Sequence, residues 1–225
     1  NGADDNASGS AALIEIARML NEERSSLGRS VIIAAFDAEE EGLYGSTALA
    51  KVLRGYNVRL MMSIDMVGWL SNGGGKLFME GTSTIKDGAA VLLEEAEKAG
   101  IELALKGFEK SIFTATDTEG FARRGIPTLA VTTGTKSPYH KPEDDADLID
   151  YAGLAKISSF IASVTREISS NPTFASSGKV APKHRPEPLL SVGVTASAGS
   201  SPLAFPNASF VSRKGLDAQA GMSFL

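Results

Sequence analysis

The sequence predicts an α/β fold with a central sheet sandwiched between helices, and three observations predict it. Helix and strand signals alternate along the first 168 residues, which is the grammar of α/β proteins. The strand candidates are continuous apolar runs, as expected of strands covered on both faces. The acids that interrupt them fall at strand ends, where an open α/β sheet gathers its loops into one crevice. With 225 residues, 43% of them apolar, the chain can bury a sizeable core as one domain, or as one domain with an appendage.

The elements follow in order. "SAALIEIARMLNEE" from Ser10 carries apolar residues at helical spacing, with Ser8 or Ser10 as a cap. "RSVIIAAF" after it is a short β-branched run ending at Glu39, Glu40 and Glu41. "RLMMSIDMVGW" (Arg59 to Trp69) and "KLFMEG" read as strands, and "GAAVLLEEAEKAG" (Gly88 to Gly100) reads as an amphipathic helix closed by glycine. Then come the strand "IELALKGF", a polar loop "TATDTEGFARRG", the strand "IPTLAVTT", the loop "GTKSPYHKPEDDAD" and a long helix from Tyr151 to Ile168. The composition then turns to Ser, Pro, Ala and Gly. This predicts an α/β domain over residues 1–168, a linker over 169–188 and a β-rich or disordered appendage over 189–225. In the appendage Leu190, Val192, Val194, Ala196 and Ala198 alternate with small or polar residues, and Leu216, Ala218, Ala220, Met222 and Phe224 do so again. A sharper reading takes these as opening strands of an outer-membrane barrel, which would attach the protein to a membrane through its C-terminal segment.

Composition excludes several functions. A net charge of −5 with scattered Lys and Arg argues against a nucleic-acid partner. No apolar run approaches the roughly 20 residues that a membrane-spanning helix requires. With no cysteine and two histidines, His140 and His184, any metal must be held by a carboxylate-rich set. The opening "NGADDNASG" reads as the middle of a domain, so no signal peptide is recognisable and the chain is expected to be a fragment or a processed product.

The acids carry the chemistry. "GADDNASG" puts Asp4 and Asp5 in a turn before a helix, "FDAEEEG" ends one strand and "SIDMVG" puts Asp65 at the end of another. Each has a bland reading alone: Asp4 and Asp5 as cap or dipole partners, the glutamates as a solvated loop, His140 as a surface residue. Asp65, however, interrupts a strand that reads as buried, and buried aspartates are rare unless paired or metal-bound. Converging loops of one sign require protonation or a bound cation, and an imidazole among carboxylates favours zinc over calcium or magnesium.

"GADDNASG", "AFDAEEEGLYGS", "IDMVG" and "YHKPEDDAD", in this order and at these separations, resemble the co-catalytic di-zinc aminopeptidase family, which includes bacterial secreted aminopeptidases and relatives of glutamate carboxypeptidase and the transferrin receptor. The resemblance covers roughly residues 1 to 168 and implies a mixed, mostly parallel sheet between helices. It implies that Asp5 bridges two zinc ions, that Glu40 and His140 complete the shell of one, and that Asp65 binds the other. It further implies Glu39 as general base, Tyr139 as an oxyanion donor and Asp117 in a supporting role, with Glu41 facing solvent. Two zinc ions about 3.5 to 4 Å apart lower the pKa of a shared water while a neighbouring carboxylate moves its proton.

The family also places a His-x-Asp pair on a strand upstream of the Gly-Ala-Asp-Asp turn. This chain opens after that point, so one metal is expected to keep Asp5, Glu40 and His140 and the other only Asp5 and Asp65. His184 lies in the Pro-rich linker and is not expected to substitute. The expected function is that of a zinc exopeptidase acting on peptides, most simply an aminopeptidase, in an extracytoplasmic location by resemblance. The alternatives are a glutaminyl-cyclase-like acyltransferase with one zinc and a non-catalytic binding ectodomain of the same fold. Retention of Asp5, Glu39, Glu40, Asp65 and His140 speaks against the last.

Overall fold

The computed structural model describes residues 1–86, 88–107 and 116–176. Four strands form the main sheet: β1 (Met61–Ile64), β2 (Lys76–Glu80), β4 (Glu102–Lys106) and β5 (Thr128–Thr132), in the spatial order β1-β5-β2-β4. The pairs β1/β5 and β2/β4 are parallel, and β2/β5 is antiparallel with Met79 opposite Val131. The sheet is thus mixed and mostly parallel, as the resemblance implies. A short antiparallel pair joins β3 (Ile85–Lys86) to β6 (Ala175–Ser176).

Helices α1 (Gly9–Glu22), α3 (Gly88–Ala99) and α5 (Tyr151–Ser170) form one layer, with α5 packed against both others. Their buried faces follow the helical repeat: Ala12, Ile16 and Leu20 on α1, and Leu154, Ile157, Ile161, Val164 and Ile168 on α5, join Leu77, Met79, Leu129 and Val131 of the sheet in one core. On α5 the Asp150 carboxylate caps the helix by accepting the Gly153 amide at 2.8 Å. Helices α2 (Tyr44–Val52) and α4 (Glu119–Ala122) build a second cluster in which Ala50, Leu53 and Phe121 meet Met61 of β1. Met62 and Ile64 pack against the first core, so β1 is covered on both faces.

Four expectations differ in detail. The Arg29–Phe36 run has the composition of a strand, yet it pairs with none among the described residues. A strand is a tertiary object that needs a neighbour within hydrogen-bonding reach. Here an apolar cavity of about 720 Å³, lined by Val31, Ile33, Met62, Ile64, Ile16 and Ile161 among others, lies between this run and β1. In "TATDTEGFARRG" the described part contains α4, too short to show a helical period in sequence. Ser8 and Ser10 do not cap α1: the Ser8 hydroxyl donates to the Asp4 carbonyl at 2.7 Å and that of Ser10 to the Asn6 carbonyl at 3.0 Å, while Asn6 Oδ1 accepts the Gly9 amide at 2.9 Å. Finally, α5 runs to Ser170, and Phe174 beyond it is 4% exposed within the core, so the residues just after 168 belong to the packed domain. The remainder of the expected linker, His184 and the appendage over 189–225 lie outside the described residues. No described helix is long and apolar enough to cross a membrane.

Candidate metal centre

Three loops deliver acids to one end of the sheet and a fourth brings His140, and several of their backbone positions adopt conformations that ordinary residues resist. Among the described residues the non-glycine positions with positive φ are Ala38, Leu43, Met66 and His140, which flank or belong to these loops. Such conformations cost of order 1–3 kcal/mol each and persist where surrounding contacts over-determine them.

The first loop is the turn over Ala3–Ser8, where Asp5 and Asn6 leave helical geometry and the peptide between them is cis. Asn6 fastens the turn to the end of β1: its Nδ2 donates to the Ile64 carbonyl at 3.0 Å and its Oδ1 accepts the Met66 amide at 3.2 Å. Asp4 is fully buried and is no helix cap. Its Oδ1 accepts the Gly68 amide at 2.8 Å, an approach that requires glycine, since a Cβ at position 68 would stand 2.9 Å from that oxygen. The second loop follows Phe36, where the Gly42 and Leu43 amides both donate to the Glu39 carbonyl and hold the three glutamates in a tight turn. Glu39 is half-buried, while Glu40 and Glu41 are exposed. The third is the end of β1, where Asp65 donates its amide to Val131 at 3.0 Å.

His140 closes the group. Its Nε2 lies 2.9 Å from Glu40 Oε1 and 3.0 Å from Asp5 Oδ2. One ligating atom from each of Asp5, Glu40 and His140 lies within 4.8 Å of the others, beside a shallow cavity of about 440 Å³ lined by these three with Asn1, Gly2, Lys141 and Pro142. The larger apolar cavity beside β1 offers no comparable donors and is not the site. Tyr139 is half-buried with its ring centroid 4.7 Å from that of His140. Asp65 belongs to no three-donor group among the described residues but adjoins the others electrostatically. Asp117 is brought close by the packing of α4 on α2, where a hydrogen bond from the buried Ser46 opposes the rise of its pKa.

The electrostatics record an uncompensated negative site. Burial, and then the charges of Asp65, Asp117, Glu40 and Asp5, push Glu39 up to about 7. Burial, and then Asp5, Asp117, Glu40 and Asp4, push Asp65 up to about 7 as well. Burial raises Asp5 and Asp117, and the hydrogen bond to Glu40 raises His140. Buried oxygens of Asp4, Asp65 and Asp117 lack hydrogen-bond partners, and among the described residues no lysine or arginine forms an ion pair with any of these acids. Two carboxylates and an imidazole with an open side suit zinc, and the residues present therefore fit that ion.

Of the seven residues singled out in the sequence, Asp5, Glu40 and His140 come into direct contact, Glu39, Asp65 and Asp117 adjoin them, and Tyr139 flanks the imidazole. Sequence reasoning passed over Asn6 and Asp144, which hold the Asp5 turn. Asp144 is buried and accepts the Asp4 and Asp5 amides at 2.9 and 3.1 Å. The one available signal was that both stand inside the motifs "GADDNASG" and "YHKPEDDAD".

Residues 1–165 match the description "Peptidase family M28". The uncharacterized protein YfbL of Escherichia coli (strain K12) is 25% identical over 185 residues, covering 69% of this chain and 56% of that protein. A probable zinc metalloprotease of Pyrenophora tritici-repentis (strain Pt-1C-BFP) is 44% identical over 69 residues, 30% of this chain and 14% of that protein. Among solved structures, the zinc aminopeptidase BSAP from Bacillus subtilis superposes with a TM-score of 0.61 at 22% identity, over 80% of this chain and 45% of that one. LapB from Legionella pneumophila gives 0.64 at 20% identity, over 76% and 48%. An aminopeptidase from Aneurinibacillus sp. strain AM-1 gives 0.58 at 25% identity, over 74% and 39%. The chain spans about half the length of YfbL and of BSAP.

Proposed function

The chain belongs to peptidase family M28, and from that membership we propose that the protein is a zinc-dependent aminopeptidase, removing N-terminal residues from peptides. The observation that carries this reading is the convergence of Asp5, Glu40 and His140 beside a half-buried Glu39. The likeness to solved zinc aminopeptidases supports the choice of an exopeptidase.

In this reading Asp5, Glu40 and His140 would hold one zinc ion, and Asp65 beside them would be available to a second. Zinc, when bound, acidifies a water and polarises the scissile carbonyl. Glu39 then moves the proton. Its carboxylate takes one from the attacking water and hands it to the departing amine, a task best served by a group titrating near the working pH. A cation among these acids draws the Glu39 pKa down from about 7, but burial, the first cause of its rise, persists. Tyr139, packed on the His140 ring, supplies a hydroxyl to steady the negative charge that develops on the carbonyl oxygen. Asp117 supports the glutamate turn through Ser46 at the start of α2.

The test is hydrolysis of aminoacyl chromogenic amides by the zinc-loaded protein, alongside N-acetylated counterparts. Cleavage of the free-amine substrates only, lost on chelation and restored by zinc, is expected. Equal cleavage of the acetylated substrates would leave a zinc peptidase but overturn the aminopeptidase assignment. Cyclisation of an N-terminal glutamine with no amide hydrolysis would favour the single-zinc acyltransferase instead.

A further inference from the structure

We propose that Asp144 is a positioning residue for the zinc site: it clamps the turn that carries Asp5 to the loop that carries His140. The proposal rests on the reading that Asp5 and His140 hold the metal.

Three consecutive amides converge on this one residue. Ala3 donates to the Asp144 carbonyl at 3.1 Å, Asp4 to its Oδ1 at 2.9 Å and Asp5 to its Oδ2 at 3.1 Å. Asp144 is 1% exposed, and its own amide donates to the Lys141 carbonyl at 3.1 Å, closing the turn that follows His140. The two segments are 139 residues apart in sequence and meet where the two carboxylate oxygens of one residue each accept a successive backbone amide. Holding the Asp5 amide fixes the direction in which its side chain leaves the backbone, and that side chain reaches His140 Nε2 at 3.0 Å. Outer groups of this kind orient ligands and set metal affinity.

The chemistry of the position argues for more than space filling. Asp144 is an acid among acids, and its charge helps to push Asp5 upward. A neutral residue would avoid that repulsion, but none offers two acceptor oxygens in one plane. Asparagine keeps one and turns an NH₂ group towards the second amide, so an N–H would face an N–H.

Zinc affinity of the full chain, measured by competition with a chromophoric chelator, is compared for the wild type, Asp144→Asn and the exposed-neighbour control Glu143→Gln. The Asp144→Asn protein is expected to bind zinc about 10–100-fold more weakly at an unchanged folded fraction, with the control unaffected. Affinity within threefold of the wild type would overturn the proposal, whereas a wild type that binds no zinc would overturn the metal-site reading beneath it. Amide exchange in the metal-free wild type needs no variant and covers the case in which Asp144→Asn fails to fold. Protection at Ala3, Asp4 and Asp5 together is expected, and free exchange there beside a protected α1 would sink the clamp.

Discussion

His140 Nε2 stands 2.9 Å from Glu40 Oε1, a contact between loops 100 residues apart that also brings the imidazole to Asp5. Because the three donors come from three separate loops, each is needed to close a shell that two carboxylates alone hold poorly. Replacing His140 by Ala is expected to weaken zinc binding by more than about 100-fold while leaving the fold intact, since its side chain is exposed. Zinc content after gel filtration, with circular dichroism for the fold, checks this. Stoichiometric zinc in the variant would remove His140 from the site.

Glu39→Gln separates proton transfer from metal binding. The amide keeps the volume of the half-buried side chain and removes only its capacity to take a proton. Zinc content should stay at the wild-type level while kcat falls by about 10²–10⁴. Near-normal turnover of a chromogenic aminoacyl amide would place the base elsewhere.

Much of this arrangement was legible before the fold. Asp65 stands out because it interrupts an apolar strand and Glu40 because it ends one, both local signals, whereas Asp5 and His140 stand out through the roles that the family resemblance assigns to them. Asn6 and Asp144 gave no such signal, since the contacts by which their side chains span the fold are to backbone amides and carbonyls 58 to 140 residues away. Sheet strands β1, β2, β4 and β5 were visible as apolar runs. The Arg29–Phe36 run shows the limit of that signal: a β-branched stretch states a preference, and pairing requires a neighbour. Phe174 was lost in a Ser- and Pro-rich stretch whose composition resembles a linker, although a single aromatic buried on the core is enough to anchor it.

The raised carboxyls predict the pH dependence of the metal-free protein. Asp65 and Glu39 reach about 7, above their unfolded values near about 4. Between these limits the folded state holds protons that the unfolded state has lost. The stabilisation they give is therefore full below about pH 4 and is lost as pH rises through about 7. His140, also raised, acts in the same direction. Urea denaturation in excess chelator should show lower stability at pH 8 than at pH 5 by more than about 1.4 kcal/mol, the worth of one unit on one group. Zinc should reverse the trend, because binding must displace those protons. A flat profile from pH 5 to 8 without metal would mean that the acids are not crowded in solution.

The end of the packed domain can be located by truncation. A chain ending at Ser176 keeps β6, the Arg29 contact to the Asn171 carbonyl at 2.8 Å and the Arg59 contact to the Phe174 carbonyl at 2.5 Å. A chain ending at Ser170 loses all three together with the Phe174 side chain, which is 4% exposed. Burial of one phenylalanine is worth about 3–5 kcal/mol when truncated to alanine, so the shorter chain should be less stable than the longer by at least about 3 kcal/mol. The point variant Phe174→Ala should account for most of that difference. The zinc ligands all lie upstream, so both truncated chains should bind zinc equally while folded. Equal unfolding midpoints for the two chains would show that residues 171–176 carry no packing energy and that the domain ends with α5.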